Sequence, residues 1–343
     1  MIVPIFLPHM GCKKRCIFCD QKYITEKDDY DLKEHIEKSL GSIHSTFEIG
    51  LYGGDIFGLQ KEKLKSILEH FEPFLEKIER IRVSAKPARI NDELIDIIDL
   101  LKTYKVQVVE LGIPTFNDLI LDLLNRGHTV KDLEEIYVYL RREGFKVALQ
   151  VMVGLPHETD SDIRNTVRYI LKLKPDYIRI YPLVIIKGTP IASMISEGMI
   201  KLVEFDEAVK RAAFIYVNAV NHEIDVIKIG LTDNKTLREN VVGGFFHPSF
   251  GYLVRCHIFF VALRDALVPD YIGKLVTLQI YEKDLPYISG YRGENLRYFK
   301  EKGIQIKILP TDLKPWEFVV SDEKGSENKK NAIKVFSSLC LTE

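Results

Sequence analysis

Two patterns of apolar and polar residues alternate along the first half of the chain. Short runs rich in β-branched residues predict strands that are covered on both faces. These runs occupy residues 2–7, 47–52, 80–84, 106–112, 146–153 and 177–183. Longer stretches with apolar residues at helical spacing predict amphipathic helices. They cover residues 31–43, 61–78, 92–104, 131–142 and 160–173.

Several predicted helices also carry end signals. Thr129 with Asp132, and Thr159 with Asp162, fit the N-cap and third position of a capping box, and Gly144 follows a helix end. Because strands and helices alternate strictly, we predict an α/β fold, a partial (βα)6 barrel. In such barrels ligands bind at the carboxyl ends of the strands.

A different pattern follows near the end of the chain. Residues 275–280 and 304–309 predict strands, and residues 291–302 predict a helix. We therefore expect two domains: a core with a C-terminal extension over residues 1–268, and a small α+β lobe over residues 269–343. A chain of 343 residues, 46 % of them apolar, is long enough to bury a substantial core.

Charge and hydropathy narrow the choice of partners. The chain has 48 basic and 49 acidic residues, so a polyanionic partner must be met by a local basic patch. No apolar run approaches the roughly 20 residues that span a bilayer, and residues 1–7, interrupted by Pro4, are too short for a signal peptide. We expect a cytoplasmic protein without a membrane partner, in which reducing conditions keep thiols free.

Three of the five cysteines, Cys12, Cys16 and Cys19, lie on one predicted loop after the first strand. Thiolates with this spacing can hold three irons of a [4Fe–4S] cluster and leave the fourth iron open for chemistry. The alternatives are zinc with His9 as fourth ligand, half of a disulfide framework, or buried apolar thiols. Zinc sites usually pair two Cys-x2-Cys knuckles, whereas this loop has one. Disulfide frameworks suit short secreted chains. Charged neighbours such as Lys13 argue against burial of the thiols. The spacing therefore favours the cluster.

Glycines and polar residues follow the other predicted strands and share a rim with the cysteine loop. They are Gly53, Gly54 and Asp55; Ser84, Lys86 and Pro87; Glu110, Gly112, Pro114 and Thr115; Gln150, Gly154 and Pro156; Tyr181 and Pro182. Their convergence indicates a ligand site. Cys256, in the apolar helical stretch 253–263, and Cys340, in the C-terminal segment, lie outside this rim, and we expect both to be dispensable.

The cysteine loop, with Phe18 before its last cysteine, resembles the signature of radical S-adenosylmethionine enzymes. Further motifs, over roughly the first 260 residues, resemble the radical domain of Elongator's catalytic subunit and its bacterial relatives, with oxygen-independent coproporphyrinogen oxidases as more distant cousins. Among them are Leu51-Tyr52-Gly53-Gly54, Arg126-Gly127-His128-Thr129, Gln150-Val151-Met152-Val153-Gly154-Leu155-Pro156 and Gly243-Gly244-Phe245-Phe246-His247-Pro248. The resemblance implies an enzyme whose [4Fe–4S] cluster cleaves S-adenosyl-L-methionine to methionine and a 5′-deoxyadenosyl radical. It also implies an electron donor such as ferredoxin or flavodoxin.

The resemblance further implies roles for single residues of the rim. Gly53 and Gly54 would meet the amino group of S-adenosylmethionine, and Gln150 its ribose. Phe18 and Pro182 would lie near the adenosyl group.

Two charged residues of the rim have alternative interpretations. Arg126 would bind the cofactor's carboxylate, since a guanidinium is a natural bidentate partner of a carboxylate, but a surface charge at a helix end is the alternative. Glu110 is either an orienting residue or a structural carboxylate at a strand end.

Some positions depart from the family pattern. Asp55-Ile56 replaces a hydroxyl residue, Pro114 a glutamine, and Lys86-Pro87-Ala88 an arginine-proline-aspartate motif. The chain also ends near where the acetyltransferase domain of Elongator's catalytic subunit would begin, without an acetyl-coenzyme-A loop pattern. We therefore expect that carboxymethylation of a tRNA uridine does not carry over intact.

In the C-terminal lobe, the loop Gly290-Tyr291-Arg292-Gly293 resembles the KH module, whose G-x-x-G loop clamps a nucleic-acid backbone. The glycines would let phosphates approach the main chain, and Arg292 would add charge. Residues 291–307 contain five basic and two acidic residues. The alternative is an ordinary loop before an amphipathic helix. We expect a KH-like lobe that delivers RNA to the barrel rim.

Two functions follow from these patterns. The first is a radical S-adenosylmethionine enzyme acting on an unidentified substrate, with tRNA as a candidate. The second is a non-catalytic, RNA-binding iron–sulfur protein derived from the same fold.

Overall fold

The computed structural model describes residues 2–26, 31–323 and 325–340, the last without its side chain. These residues form two compact units. The first unit comprises the residues up to 202 together with 231–246, and the second comprises 203–230 and the described residues from 247 onward. The expected domain boundary between residues 268 and 269 stays a prediction, and the compact units divide at other positions.

The strands, in chain order, are β1 (Ile2–Phe6), β2 (Phe47–Tyr52), β3 (Ile78–Ala85), β4 (Val106–Gly112), β5 (Lys146–Val153), β6 (Tyr177–Pro182), β7 (Val184–Ile186), β8 (Asp225–Ile229), β9 (Val241–Gly244), β10 (Leu275–Tyr281), β11 (Gln305–Thr311), β12 (Glu317–Ser321) and β13 (Glu327–Asn331).

The helices, in chain order, are α1 (Gln21–Thr25), α2 (Leu32–Gly41), α3 (Lys61–Glu69), α4 (Asp92–Thr103), α5 (Asp118–Leu123), α6 (Val130–Arg142), α7 (Asp160–Leu173), α8 (Pro190–Ser196), α9 (Phe205–Asn221), α10 (Lys235–Asn240), α11 (Phe250–Leu267), α12 (Leu285–Ser289), α13 (Glu294–Glu301) and α14 (Ala332–Cys340).

In the first unit, strands β1 to β6 lie side by side in chain order, and each neighbouring pair is parallel. At least one helix separates each of these strands from the next. This is the alternation predicted for a partial (βα)6 barrel, and it brings the loops that follow the strands to one edge of the sheet. Strands β7 and β9 form a separate antiparallel pair.

All six predicted strands of this sheet are present, with ends within two residues of the prediction. Four of the five predicted helices agree equally well, and both capping boxes form. The prediction of one helix over residues 61–78 is wrong. Helix α3 ends at Glu69 and a short 3₁₀ turn, Glu72–Phe74, follows, because Pro73 lacks the amide hydrogen that would continue the helix.

The two faces of the parallel sheet differ in chemistry. Alternate positions carry aliphatic side chains that are at most 1 % exposed: Ile49, Leu51, Ile81, Val83, Val109, Leu111, Leu149, Val151, Ile178 and Ile180. The intervening positions carry Glu48, Arg82, Ser84, Glu110, Gln150 and Arg179, with Ser84 in register with Glu110 and Gln150 with Arg179. Because side chains alternate between faces, the second face is polar.

The second unit contains a mixed sheet with the strand order β11, β10, β12, β13. Strand β10 is parallel to β11, whereas β12 is antiparallel to both of its neighbours. Helix α11 packs against α9, α12 and α14. The rings of Phe259, Tyr287 and Trp316 stack within 12° of parallel. An aromatic core therefore holds this unit together.

The C-terminal strands predicted over residues 275–280 and 304–309 are present as β10 and β11. The predicted helix 291–302 is shorter, because Tyr291–Gly293 forms a 3₁₀ turn and α13 begins at Glu294. Helix α12, before this turn, is an element that the sequence pattern did not indicate. The α+β character of the lobe is confirmed. Among the described residues, no helix is long and apolar enough to cross a membrane.

Candidate functional site

Backbone hydrogen bonds join the cysteine loop to the loop that follows β2. The backbone N–H of His9 donates to the carbonyl oxygen of Gly53 at 2.9 Å, and the N–H of Asp55 donates to the carbonyl oxygen of Met10 at 2.8 Å. These bonds continue the β1–β2 pairing past the strand ends. The first cysteine, Cys12, therefore follows a backbone that is already fixed.

Glycines allow the two loops to lie this close together. A Cβ atom on Gly54 would lie 2.6 Å from the carbonyl oxygen of Met10, and one on Gly11 would lie 2.0 Å from that of Asp55. Gly53 has a φ of +86°, a left-handed conformation that favours glycine. Contact between the loops thus accounts for Gly54, independently of any contact with a ligand.

The three thiols of the loop differ in their surroundings. Cys16 is 5 % exposed, and its Sγ accepts a hydrogen bond from Nη1 of Arg126 at 3.0 Å. Cys19 Sγ accepts from Nε2 of Gln21 at 3.2 Å. Burial raises the pKa of Cys12, and burial together with Cys16 raises the pKa of Cys19 to about 12. Thiolates at these positions therefore need positive charge from a metal or from the protein.

His9 is engaged in the same loop. Its Nε2 accepts the backbone N–H of Gln21 at 3.0 Å, and burial and the charge of Arg15 lower the pKa of His9. A neutral imidazole has one acceptor nitrogen, and here that nitrogen is used. This geometry argues against His9 as the fourth ligand of a zinc ion.

Arg126 lies between α5 and α6 and is 9 % exposed, so the alternative of a surface charge at a helix end is wrong. Its neighbours Asn125 and Gly127 both have positive φ, of 54° and 73°. Besides the bond to Cys16, Nη2 donates to the carbonyl oxygen of Gly112.

The remaining donor of Arg126, Nε, is buried without a hydrogen-bond partner. In the described part of the chain, no carboxylate lies within ion-pairing distance of Arg126. Burial and Arg126 lower the pKa of the neighbouring His128 to about 3, so His128 contributes no charge at neutral pH. A buried cation without an anionic partner is costly, and an anionic ligand would remove that cost.

Two of the positions that depart from the family pattern contact each other. The carboxylate of Asp55, 9 % exposed, accepts the backbone N–H of Lys86 at 3.0 Å, and Lys86 Nζ donates to the carbonyl oxygen of Lys14 at 2.6 Å. Burial raises the pKa of Asp55. Asp55 and Lys86 thus connect the loops after β2 and β3 with the cysteine loop.

A buried ionic network occupies the polar face of the sheet, with the fully buried Glu110 at its centre. Oε2 of Glu110 accepts from Arg179 Nε at 2.6 Å, and Oε1 accepts from Arg179 Nη2 and Tyr52 OH at 3.0 Å each. Arg82 Nη1 lies 3.4 Å from Oε1 and pairs more closely with Glu48, at 2.7 Å. Each buried cation here has a carboxylate partner.

Gln150 is held by the same network. Its Nε2 donates to Oε2 of Glu110 and to Oγ of Ser84, at 3.0 Å each. Both amide hydrogens are therefore used, and Oε1 is the part of this amide that remains to accept a hydrogen bond. Glu110 consequently fits both interpretations given above, since it orients Gln150 and also balances Arg179.

The sequence assigned possible roles to Glu110 and Gln150 but none to Arg82 or Arg179. The available signal was an arginine at an inner position of each of two largely apolar strands, Arg82 in β3 and Arg179 in β6, on the same side of the pleat as Glu110. Phe18 is half-buried in the cysteine loop, and Pro182 is buried at the end of β6.

The Gly290–Gly293 loop belongs to the second unit. Gly290 has a φ of +77°, and a Cβ there would lie 2.6 Å from Cγ of the buried Asn295. Tyr291 packs edge-on against His247 with ring centroids 5.3 Å apart, whereas Arg292 is exposed. Close packing thus requires Gly290, and Arg292 is the charged group that the loop presents to solvent.

A parallel partial barrel with a cysteine loop after its first strand defines a class of α/β proteins that bind cofactors at the strand ends. The profile of the Radical SAM superfamily matches residues 7–170, and that of the Radical SAM C-terminal domain matches residues 175–258. The chain belongs to the radical SAM superfamily, as its sequence resemblance predicted.

Curated relatives match parts of the chain. An uncharacterised protein of Methanocaldococcus jannaschii is 29 % identical over 205 residues, covering 55 % of this chain and 63 % of the relative. Heme chaperone HemW of Bacillus subtilis is 24 % identical over 200 residues, covering 56 % and 53 %. The tRNA uridine(34) acetyltransferase of M. jannaschii is 34 % identical over 105 residues, covering 30 % and 19 %. The chain thus spans between about half and two thirds of the first two relatives and about a fifth of the third.

Among solved structures, the archaeal Elp3 of Methanocaldococcus infernus with an N-terminal deletion superposes with a TM-score of 0.57 at 17 % identity. The match covers 94 % of this chain and 75 % of the Elp3 chain. At this identity the likeness concerns the fold, and it confirms the predicted Elongator-like architecture.

Proposed function

We propose that this protein holds a [4Fe–4S] cluster on Cys12, Cys16 and Cys19 and cleaves S-adenosyl-L-methionine reductively. The observation that carries the proposal is Arg126, a buried guanidinium that contacts Cys16, has no carboxylate partner among the described residues, and keeps Nε free. The thiol spacing and the unpaired cation fit a cluster with a carboxylate-bearing cofactor beside it.

The residues of the rim then have distinct tasks. Arg126 binds the carboxylate of S-adenosylmethionine through Nε, and Gln150 accepts a ribose hydroxyl at Oε1. Gly53 and Gly54 leave room for the amino group, while Phe18 and Pro182 border the adenosyl group. Gly54 also serves the packing of the two loops, as described above.

Cys12, Cys16 and Cys19 would hold the cluster, and a bound cluster would supply one electron for cleavage of the C5′–S bond of S-adenosylmethionine to methionine and a 5′-deoxyadenosyl radical, which would take a hydrogen atom from the substrate. The electron would come from a donor such as ferredoxin or flavodoxin. The protein has to orient the cofactor and exclude water, and the buried polar face of the sheet supports both tasks.

RNA, with tRNA as the first candidate, is the substrate we propose. One curated relative is named as a tRNA-modifying enzyme. The Gly290–Gly293 loop, with the exposed Arg292 and the basic residues that follow it, supports RNA binding by the second unit.

A second candidate function is a non-catalytic iron–sulfur or RNA-binding role. Two observations support this second candidate: the match to a relative named as a heme chaperone, and the rim positions Asp55 and Pro114, which depart from the family pattern. The two candidates differ in whether S-adenosylmethionine is cleaved.

One experiment separates these candidates. The chain is reconstituted anaerobically with iron and sulfide, reduced with dithionite and given S-adenosylmethionine, and 5′-deoxyadenosine is measured with and without bulk tRNA. We expect 5′-deoxyadenosine in both samples and more of it with tRNA. An intact cluster that yields none in either sample would favour the non-catalytic role.

A further inference from the structure

The side chain of Arg126 reaches a cysteine that the proposed function assigns to the cluster. Its Nη1 lies 3.0 Å from Cys16 Sγ, and its Nη2 is fixed by the carbonyl oxygen of Gly112. Both Arg126 and Cys16 are more than nine-tenths buried. The second hydrogen bond of Arg126 therefore fixes its contact with Cys16, and the burial of both residues shields this contact from water.

Hydrogen bonds to the sulfurs of an iron–sulfur cluster are one of the factors that set its reduction potential, together with net charge and solvent exposure. Reduction adds negative charge to the cluster and its thiolates, so a donor aimed at a ligand sulfur stabilises the reduced form more than the oxidised form. Burial strengthens this preference, because Coulomb interactions are larger where water is excluded.

We propose that Arg126 is a positioning residue for the cluster itself, whose hydrogen bond to Cys16 raises the reduction potential and so makes an electron easier to accept. This inference rests on the proposed function, since it requires a cluster on Cys16. It goes beyond that function because it gives Arg126 a role before S-adenosylmethionine binds.

Two residues near the cysteines allow the effect of charge on the reduction potential to be distinguished from the effect of a hydrogen bond. Gln21 is neutral and donates from Nε2 to Cys19 Sγ at 3.2 Å, so it supplies a hydrogen bond without charge. Arg15 is an exposed cation between two of the cysteines and, within the described ranges, donates to no sulfur, so it supplies charge without a hydrogen bond. Arg126 supplies both.

The test compares Arg126→Leu, Gln21→Leu and Arg15→Leu with the wild-type chain, all full length and anaerobically reconstituted. The midpoint potential of the cluster is measured by redox titration with electron paramagnetic resonance, without S-adenosylmethionine. We expect Arg126→Leu to make reduction at least tenfold less favourable, a shift of about 59 mV to lower potential for one electron. Gln21→Leu should shift in the same direction by less, and Arg15→Leu least of all.

The inference is overturned if Arg126→Leu keeps the wild-type potential, or if Arg15→Leu shifts it as much. Should Arg126→Leu fail to hold iron, Arg126→Lys and Gln21→Leu are measured instead. Lysine keeps the positive charge but lacks the two guanidinium nitrogens with which Arg126 donates to Cys16 and Gly112 at once. A wild-type reduction potential in both Arg126→Lys and Gln21→Leu therefore also overturns the inference. If the wild-type chain binds no cluster, the proposed function fails, which is a different outcome from a cluster whose potential ignores Arg126.

Discussion

Two buried arginines of the first unit, Arg126 and Arg179, have opposite surroundings. Arg179 donates twice to the carboxylate of Glu110 and once to Tyr52 OH, so its charge is balanced within the fold. Arg126 contacts a sulfur and a carbonyl oxygen and keeps Nε unpaired. A buried cation can therefore belong either to the architecture or to a ligand site, and its hydrogen-bond acceptors distinguish the two cases.

The largest effect should come from breaking the balanced pair. Glu110→Ala would leave Arg179 buried without its carboxylate, and loss of one partner of a buried pair costs about 3–5 kcal/mol of folding free energy. We expect a correspondingly lower free energy of unfolding in urea for the apoprotein.

The matched control is Arg126→Leu, which removes a buried charge that has no carboxylate partner. This change should be close to neutral or stabilising in the same assay. Equal losses for Glu110→Ala and Arg126→Leu would contradict the distinction between the two arginines.

A smaller effect is expected on cofactor binding. Arg126→Ala should weaken binding of S-adenosylmethionine by about 1.5–3 kcal/mol, or about 10- to 150-fold in Kd, because a charge-assisted pair is lost while the cluster stays in place. Anaerobic calorimetry on reconstituted protein measures this. The control is Arg15→Ala, which removes an exposed cation of the cysteine loop. Unchanged affinity for S-adenosylmethionine in Arg126→Ala would exclude a role of Arg126 in cofactor binding.

The smallest effect concerns an arginine that is exposed rather than buried. Changing Tyr291 and Arg292 together to Asp should weaken RNA binding at least about tenfold and reduce its salt dependence, because phosphate contacts release counterions. Cleavage of S-adenosylmethionine without RNA should not change.

Because Tyr291 packs against His247, the single change Arg292→Glu serves as a second variant that leaves this contact in place. The control is Lys201→Asp, which changes an exposed cation of the first unit. RNA affinity that survives both loop variants at low and high salt would leave a small molecule as the substrate.

Much of the first unit could be predicted from sequence, because its strands are apolar and its helices carry caps. The capping boxes at Thr129 and Thr159 form as predicted. The helix over residues 61–78 was wrong because the apolar spacing continues past Pro73, which ends the helix in the structure.

The network around Glu110 could not be predicted, because its members are far apart in sequence and meet only through strand register. Ser84 lies in register with Glu110, and Gln150 with Arg179. A lone arginine in an apolar run does not reveal which carboxylate it will face. The burial of Arg126 likewise depends on the backbone at Asn125 and Gly127, whose positive φ angles no spacing rule specifies.

Every role proposed for the rim depends on the cluster, whose presence is measured by iron content and Mössbauer spectra after anaerobic reconstitution. We expect about four irons and a [4Fe–4S] spectrum for the wild-type chain and for Cys256→Ala, whose thiol is buried in α11 of the second unit. Cys12→Ala should lose that spectrum. A full cluster signal in Cys12→Ala, or about one zinc per chain as the only metal bound by the wild type, would rule out a [4Fe–4S] cluster on these three cysteines.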